Sequence, residues 1–413
     1  MIRTQKKILF ISYDGMTDPL GQSQVLPYLL GLSKHGHKIF LLSCEKKEVF
    51  SQNKGIIENL VRDTGITWIP MAYTKNPPVF STAMDVYKIK RKAKKIHREH
   101  QLDMVHTRAG VPALIGLWMK KKFGIKFLND IRDFYADSRV DGYMWNLKNP
   151  LYLMVYKYFK RKEAEQIALN DGIVCLTAAA EKVVRALPEF VPGTPLEIIP
   201  CSADLDLFDP AAIGAAQTAD LKKQFGILPG ELVVTYLGSV SGLYLTDEVM
   251  HFCKIVSDRI PAVKLLFIAP IRHKEIAEAA EKFNIPAEKM IIKKASRKEV
   301  PLFLSVSDYS LFFIRPCFSR KSQSPTKHGE IMAMGIPVIT NRGIGDVEEI
   351  IEHYRSGFVV KAFSEEEYAA VVDKIMAGVK FDPDSIRNGA VAFYALSAAI
   401  EKYRRLYDNV LNK

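Results

Sequence analysis

SQSPTKHGEIMAMGIPVITNRGIGDVEEII, residues 322–351, predicts a polar loop, a helix, a strand and a second helix in direct succession. The first helix is predicted to open at Pro325, because proline is favoured in a first helical turn, where its missing N–H costs nothing. Gly335 then predicts a turn, and Ile336–Thr340 predicts a buried strand. A helix that leads directly into a buried strand is typical of an α/β protein with a parallel sheet.

The start of this helix also predicts an anion site. Ser324 or Thr326 can cap some of the free N–H groups, and the positive end of the helix dipole strengthens the rest as donors to an anion. Lys327 adds a full positive charge, and Glu330 follows one turn later. A diphosphate at the helix start and a vicinal diol at the carboxylate would satisfy these groups, which indicates a nucleoside-diphosphate sugar as ligand. The simpler alternative is an ordinary capped helix followed by a strand.

The run Glu330–Val338, EIMAMGIPV, resembles the donor-binding motif of retaining GT-B glycosyltransferases of the family-4 type. Pro325 stands where the family's loop proline stands, whereas Ser322 replaces the usual first glutamate. The resemblance implies that Lys327 contacts the diphosphate, that Glu330 binds the ribose hydroxyls, and that Ser324, Pro325 and Thr326 contact the sugar and phosphates.

Composition narrows the class of protein. The 413 residues suggest two or three domains, and no apolar run approaches the ~18–20 residues needed to span a bilayer. The five cysteines are odd in number and scattered, which fits a reducing compartment and neither a disulfide framework nor a zinc site. We therefore expect a cytoplasmic protein.

Positive charge is concentrated in the first half of the chain. Residues 1–200 hold 31 Lys and Arg against 19 Asp and Glu, whereas residues 201–413 hold 27 of each. The densest run, Lys88–Arg98, lies on a predicted helix from about Met84 to His100, and Met144–Lys162 mixes lysines with aromatics. Such surfaces suit an anionic membrane at the inner face of the plasma membrane, or a phosphate-bearing acceptor, although a solvated helix face is an equal alternative. No nucleic-acid motif accompanies the charge.

Two successive series of short apolar runs alternate with helical patterns, which predicts two parallel sheets built from crossover units. The predicted strands of the first series are Lys7–Tyr13, Lys38–Ser43, Met104–His106, Lys126–Asp130, Gly172–Leu176 and Glu197–Ile199. Those of the second series are Glu231–Gly238, Val263–Ala269, Lys289–Ile292, Tyr309–Ile314, Ile336–Thr340 and Gly357–Val360.

The predicted architecture is an α/β GT-B protein with two Rossmann-like, doubly wound domains that face a cleft. The acceptor-side domain is predicted at residues 1–205, and the donor-binding domain at residues 210–394. An amphipathic final helix, Ala395–Asn409, is expected to cross back to the first domain with residues 395–413, as it does in GT-B relatives. Asp204 and Asp206 mimic a metal motif, but they lie at the domain junction without other oxygen ligands, so no metal site is predicted.

Two candidate sites lie in the first domain. A loop at Asp18–Ser23 follows the first strand, and the resemblance implies that Gly21 and Gln22 approach the donor sugar there, unless the segment only connects two elements. Arg132 stands where relatives have a histidine that contacts the sugar. Because arginine stays protonated, Arg132 is predicted to position a polar group, while Asp130 or Asp133 accepts the acceptor's proton. A plain Arg–Asp ion pair is the alternative.

Two further groups complete the predicted donor site. The loop Gly238–Tyr244 lacks the Arg and Lys that relatives use against the diphosphate, so the backbone N–H groups of Gly238 and Ser239 are predicted to bind phosphate. Arg315 and Arg320 are predicted helpers, unless Arg315 only pairs with an acid nearby.

The predicted reaction moves a hexose-type sugar, with retention, from a nucleoside-diphosphate sugar to a hydroxyl of a glycan or lipid-linked acceptor, as in cell-surface polysaccharide or glycoconjugate synthesis. No cofactor is expected to be obligatory, and nucleic acid is not an expected partner. Two alternatives stay open: a GT-B nucleotide-sugar epimerase, and a non-catalytic protein that binds sugar nucleotides.

Overall fold

A computed structural model describes residues 5–77, 79–240 and 242–412 of the chain. The described residues form two compact units, of which the first contains residues 1–200 and 396–413 and the second contains residues 201–395. Each unit is a parallel sheet covered by helices, which confirms the predicted fold class. We describe the two units separately.

The sheet of the first unit has seven parallel strands in the order β3-β2-β1-β4-β5-β6-β7. Their bounds are β1 Lys7–Ser12, β2 Lys38–Glu45, β3 Ile66–Ala72, β4 Met104–Arg108, β5 Lys126–Ile131, β6 Gly172–Cys175 and β7 Leu196–Ile198. The central strands are buried almost throughout, as expected when helices cover both faces of a parallel sheet.

The sequence analysis missed the strand β3. Proline and half-exposed positions interrupt its apolar pattern, because β3 lies at the edge of the sheet. Pro70 is tolerated there, since an edge strand bonds to a neighbour on one side only.

The sheet of the second unit has six parallel strands in the order β10-β9-β8-β11-β12-β13. Their bounds are β8 Leu232–Leu237, β9 Val263–Ile268, β10 Met290–Lys293, β11 Tyr309–Leu311, β12 Val338–Asn341 and β13 Gly357–Val360. All six were predicted, but β11 and β12 are shorter than expected. Ile336 and Pro337 precede β12 in the turn after Gly335, which has a φ of 72°.

Helices fill the connections between the strands. In the first unit they are α1 Pro19–Gln24, α2 Leu26–Ser33, α3 Lys47–Val61, α4 Phe80–His100, α5 Gly110–Phe123, α6 Tyr135–Asp141, α7 Pro150–Leu169 and α8 Ala178–Arg185. The second unit contains α9 Ala215–Gln224, α10 Thr246–Arg259, α11 His273–Lys282, α12 Val300–Leu304, α13 Thr326–Ala333, α14 Val347–Tyr354, α15 Glu365–Met376 and α16 Pro383–Tyr394. The last helix, α17 Leu396–Leu411, lies in the first unit.

One local prediction was wrong. The segment predicted as a loop at Asp18–Ser23 is the short helix α1, and the following helix α2 begins only at Leu26. Pro19 occupies the first turn of α1, where its fixed φ favours a helix. The glycine that suggested a loop serves packing instead, since a Cβ on Gly21 would lie 2.1 Å from the Gly15 carbonyl oxygen.

The returning helix α17 packs its apolar face into the core of the first unit. Tyr403, Leu406, Tyr407 and Val410 are all buried in the cluster that contains β1 and α2 residues. The contact with α2 is close, because a Cβ on Gly31 would lie 2.3 Å from the Ile400 side chain. A larger residue at position 31 would therefore displace α17.

Candidate functional site

Lys327 is the centre of the candidate site in the second unit. It lies in the first turn of α13 and is 8% exposed. Its ammonium lies over three aromatic rings, 4.1 Å from the centroid of Tyr244, 4.9 Å from that of Tyr236 and 5.7 Å from that of Phe312. Ring faces attract a cation and partly replace the water that burial removes.

The Lys327 ammonium has no hydrogen-bond partner among the described residues. It lies beside Gly238, at whose position a Cβ would come within 2.9 Å of Nζ. Burial lowers the pKa of Lys327 to about 7, and the Glu330 carboxylate only partly opposes this shift. An unpaired buried cation is costly, so its presence favours a site that an anion completes.

No side chain caps the N-terminus of α13, so the predicted capping by Ser324 or Thr326 was wrong. Pro325 is the N-cap residue. Ser324 turns away, and its Oγ accepts a hydrogen bond from the Cys201 backbone N–H at 3.2 Å. Thr326 is the first helical residue and is half-buried. The free N–H groups of this turn therefore lie next to Lys327, which is the arrangement that binds anions.

Glu330 lies one turn after Lys327 and has a partner that the sequence analysis did not identify. Its Oε1 accepts a hydrogen bond from Arg297 Nη1 at 2.8 Å, and the Arg297 guanidinium lies 5.5 Å from the Phe208 ring centroid. The carboxylate is largely buried, whereas Arg297 is 42% exposed. Arg297 follows β10 by four residues, but no local pattern in the sequence pairs it with α13.

The role predicted for the Gly238 backbone was wrong. Its N–H donates to the Ile268 carbonyl at 2.8 Å, so it continues the β8–β9 ladder and has no donor left for phosphate. The contribution of Gly238 is instead space, since the missing side chain leaves room for the Lys327 ammonium. Ser239 is exposed, and its carbonyl accepts from the Tyr236 hydroxyl at 2.6 Å. Ser241 of the same loop lies outside the described residues.

Arg315 acts on the site through its backbone. Its N–H donates to the Leu243 carbonyl at 2.9 Å, and an isolated antiparallel bridge joins Tyr244 to Ile314. These contacts hold the Tyr244 ring over Lys327. The Arg315 side chain is half-buried, and its predicted contact with phosphate stays a prediction.

Gly21 and Gln22 support the first loop of the first unit. The Gln22 side-chain amide donates to the Thr17 carbonyl at 3.0 Å. The same loop is anchored by the buried Glu45 carboxylate, which accepts hydrogen bonds from the backbone N–H groups of Met16 at 2.8 Å and Thr17 at 3.1 Å. These two amides bind an internal carboxylate, so they are not available to an external anion. The approach of Gly21 and Gln22 to the donor sugar stays a prediction.

Asp130 and Arg132 lie in a separate buried network of the first unit. Asp130 Oδ1 accepts a long 3.5 Å hydrogen bond from Arg132, and Oδ2 accepts one from the Tyr403 hydroxyl at 2.8 Å. His106 Nε2 lies 3.9 Å from the same carboxylate. Burial alone would raise the pKa of Asp130, but the Arg132 charge and the neighbouring His106 and Arg108 hold it well below its usual range. Such a carboxylate is a weak base, which argues against Asp130 as the proton acceptor.

The structure thus brings Pro325, Thr326, Lys327, Glu330 and Gly238 together in the second unit. Ser324 and Ser239 lie next to this group but direct polar atoms elsewhere, and Asp130 and Arg132 form their own network in the first unit. Within the described ranges, no cluster of three or more His, Cys, Asp and Glu residues has the arrangement of a metal site.

Comparison with known proteins places the site in a family. Residues 217–390 match the family model described as "Glycosyl transferases group 1", and this segment contains Lys327, Glu330 and Gly238. Over residues 217–390 the chain is therefore similar to the glycosyl transferases group 1 family. The fold is that of the GT-B proteins among the solved structures.

Individual relatives of this chain are distant. Spore coat protein SA of Bacillus subtilis (strain 168) is 20% identical over 240 residues, which are 54% of this chain and 61% of the relative. The chain thus spans less than two thirds of that curated relative. Sucrose-phosphate synthase of Thermosynechococcus elongatus has a TM-score of 0.73 at 15% identity and covers 99% of this chain and 100% of its own. HepE of Anabaena, solved in complex with UDP, has a TM-score of 0.69 at 13% identity and covers 97% of this chain and 98% of its own.

Proposed function

We propose that the protein transfers a hexose-type sugar from a nucleoside-diphosphate sugar to an acceptor hydroxyl, with retention of anomeric configuration. One observation carries the proposal. The Lys327 ammonium is buried, has no hydrogen-bond partner among the described residues, and adjoins an uncapped helix N-terminus. A diphosphate would supply the negative charge and the acceptor oxygens that this arrangement lacks.

In the proposed reaction the departing nucleoside diphosphate gains negative charge as the glycosidic bond breaks. Lys327 and the first-turn N–H groups of α13 stabilise that charge, and preorganised donors of this kind are worth ~10²–10³-fold in rate each. The structure of HepE in complex with UDP supports a nucleoside diphosphate as the common ligand of such folds.

Glu330 binds the ribose in this proposal. Its carboxylate can accept hydrogen bonds from two vicinal hydroxyls, and the hydrogen bond from Arg297 at 2.8 Å fixes the orientation of one oxygen. Arg297 remains partly exposed, so it can move without uncovering a buried charge of its own.

Retention is proposed to follow from transfer on a single face of the sugar. Such a reaction needs positioning and charge stabilisation more than a protein nucleophile. In the first unit, Asp130 positions Arg132 and Tyr403. Asp133 stays the predicted proton acceptor from this segment.

The proposed acceptor is a glycan or lipid-linked sugar of the cell surface, reached at an anionic membrane. The support is the charge of the first half of the chain, with 31 basic against 19 acidic residues in positions 1–200. Among the described residues, no helix is both long and apolar enough to cross a bilayer.

Calorimetric titration with UDP-, GDP-, ADP- and TDP-sugars, followed by turnover with candidate acceptors, tests the proposal. We expect micromolar-range binding of one nucleoside diphosphate and a product whose anomeric configuration, measured by NMR, equals that of the donor. An inverted product would contradict retention. Release of free nucleoside diphosphate without an acceptor product would favour an epimerase, and binding without turnover across the panel would favour a non-catalytic protein.

A further inference from the structure

A cavity of about 800 Å³ opens in the first unit, away from the Asp130 network. Its inner end lies beside Tyr13 and Tyr73, which directly follow β1 and β3. Ligands of open parallel sheets bind at this carboxyl edge of the strands. From there the cavity runs outward between α4, α6 and α7, and its size falls within the ~300–1,000 Å³ of small-molecule sites.

The walls of the cavity are aromatic and packed against each other. The Phe159 ring centroid lies 4.8 Å from that of Tyr135 and 5.7 Å from that of Trp145, and the Tyr135 and Trp145 centroids are 5.9 Å apart. Phe159 is buried in the core on this side of the sheet. Because each ring is held by its neighbours, the walls do not need to form around a ligand.

A buried carboxylate fixes the inner end. Asp85 of α4 accepts hydrogen bonds from the Tyr13 hydroxyl at 3.0 Å, from the Thr74 backbone N–H at 3.0 Å and from the Thr74 hydroxyl at 2.8 Å. Tyr13 and Tyr73 pack edge to face with centroids 5.4 Å apart. The strand ends and α4 are therefore tied together around the opening.

Exposed apolar side chains lie on two of the helices that line the cavity, α4 and α7. On α4 the exposed residues recur at positions i, i+4 and i+7, and on α7 at positions i, i+3 and i+7, so each helix presents one apolar stripe. They are Phe80 at 68%, Met84 at 53%, Tyr87 at 61%, Leu151 at 41%, Met154 at 64% and Tyr158 at 42%. Met154 and Tyr158 also line the cavity. Apolar side chains that are exposed along one stripe of a helix mark a binding surface, so the two stripes favour an apolar ligand.

Both charged side chains that line the cavity are basic. Lys75 and Arg139 line it, and within the described ranges neither forms an ion pair with a carboxylate. The Arg139 guanidinium lies 4.6 Å from the Tyr135 ring centroid. The nearby Asp137 is already bound to Lys160 at 2.9 Å. The cavity therefore combines an apolar surface with two basic side chains that pair with no described carboxylate, which complements an anionic amphiphile.

We propose that this cavity binds the hydrocarbon chain of a lipid-linked acceptor, with the acceptor's phosphate against Lys75 and Arg139. The proposal rests on the proposed glycosyl transfer and specifies its acceptor class. A chain in the cavity would place the phosphate end at the Tyr13–Tyr73 edge, where the sugar of the acceptor can reach the carboxyl ends of the strands. The occupant is a single chain in a concave site rather than a flat bilayer contact.

Decyl phosphate below its micelle concentration is the probe, and Trp145 fluorescence reports its binding. We expect saturable binding that inorganic phosphate does not reproduce, with decyltrimethylammonium bound at least ~10-fold more weakly.

The double variant Ala83→Phe, Val86→Phe fills the cavity from α4 and should abolish binding. Its matched control, Ala277→Phe, Val391→Phe, adds the same bulk at exposed positions of the second unit and should bind normally. Lys75→Gln combined with Arg139→Gln should weaken decyl phosphate about tenfold but leave decanol binding unchanged.

Non-saturable uptake, which is partition onto a surface, would overturn the proposal. Equal affinity for the cationic amphiphile, or unchanged binding by the filled variant, would overturn it too. Titration of the same proteins with nucleoside diphosphate separates this inference from the proposed function. A protein that binds nucleotide normally but does not bind decyl phosphate would contradict the cavity proposal alone. A protein that binds decyl phosphate normally but binds no nucleotide would contradict the proposed function alone.

Discussion

Two buried charged groups, one in each unit, differ in whether an opposite charge lies against them. In the first unit the Asp130 carboxylate is surrounded by Arg132, Arg108, His106 and the Tyr403 hydroxyl. In the second unit the Lys327 ammonium lies among aromatic rings, and no described residue hydrogen-bonds to it. Both groups are less than a tenth exposed.

The difference separates a structural centre from a binding centre. A buried charge that the protein itself neutralises holds elements together, and here it joins β4, β5 and α17. A buried charge left without an ionic partner destabilises the free protein, so it persists where a ligand supplies the missing charge. The pKa directions agree, because partners hold the pKa of Asp130 low while burial lowers that of Lys327 to about 7.

Removal of the charge at Asp130 should have the largest effect, and the effect should be on stability. Asp130→Asn leaves Arg132 and Arg108 without their shared carboxylate, and a broken buried ion pair costs about 3–5 kcal/mol. We expect the free energy of unfolding to fall by that amount in urea titrations. Tyr403→Phe removes one hydrogen bond and should cost only about 1 kcal/mol. Equal, small losses in both variants would mean that the network is not the centre we describe.

Replacement of Lys327 should act in the opposite way, on activity rather than on stability. Lys327→Met keeps most of the length of the side chain but removes the charge, so kcat/KM should fall ~10²-fold or more. Because an unpaired buried charge is removed, the free energy of unfolding without ligand should stay the same or rise. Steady-state kinetics and urea titration on the same preparation measure both quantities. A variant with normal kinetics would remove the phosphate role of Lys327.

The sequence predicted the second unit better than the first for a physical reason. The site from Pro325 to Glu330 lies on one helix turn, so local spacing brings its groups together. Arg297, Tyr236 and Tyr244 reach the same site from other elements, and only the folded sheet places them there. A local pattern cannot show such long-range contacts.

The same limit explains the errors in the first unit. Gly21 suggested a loop, yet it permits close packing of α1 on Gly15. Asp130 suggested a base, since neither Tyr403 on α17 nor His106 on β4 is near it in sequence. In the second unit the capping role predicted for Ser324 was wrong for the same reason, because its hydroxyl accepts a hydrogen bond from Cys201, more than a hundred residues away.

Replacement of Glu330, the residue predicted to bind the ribose, should have a smaller effect than replacement of Lys327. Glu330→Gln keeps the shape of the side chain but loses the charge that strengthens hydrogen bonds to hydroxyls. We expect nucleoside diphosphate affinity to fall about tenfold, which corresponds to about 1.4 kcal/mol. Calorimetry with the nucleoside diphosphate and with inorganic pyrophosphate separates the two parts of the ligand. Pyrophosphate affinity should be nearly unchanged, and equal losses for both ligands would contradict a ribose contact.

The smallest predicted effect is a pH dependence of stability and of nucleotide affinity, which only the site at Lys327 should show. The pKa of Lys327 is about 7 in the folded protein against 10.5 for an ordinary lysine, so the unfolded chain binds more protons between these values. Stability without ligand should therefore rise with pH across that window. Nucleotide binding needs the ammonium, whose population falls from about half at pH 7 to about a tenth at pH 8, so affinity should fall about fivefold over that interval. Calorimetry in two buffers of different ionisation enthalpy should show proton uptake on binding, because the diphosphate raises the pKa of the lysine. Lys327→Met should lose both slopes, and a wild-type affinity that is flat from pH 7 to 8 would mean that the ammonium does not meet the phosphate.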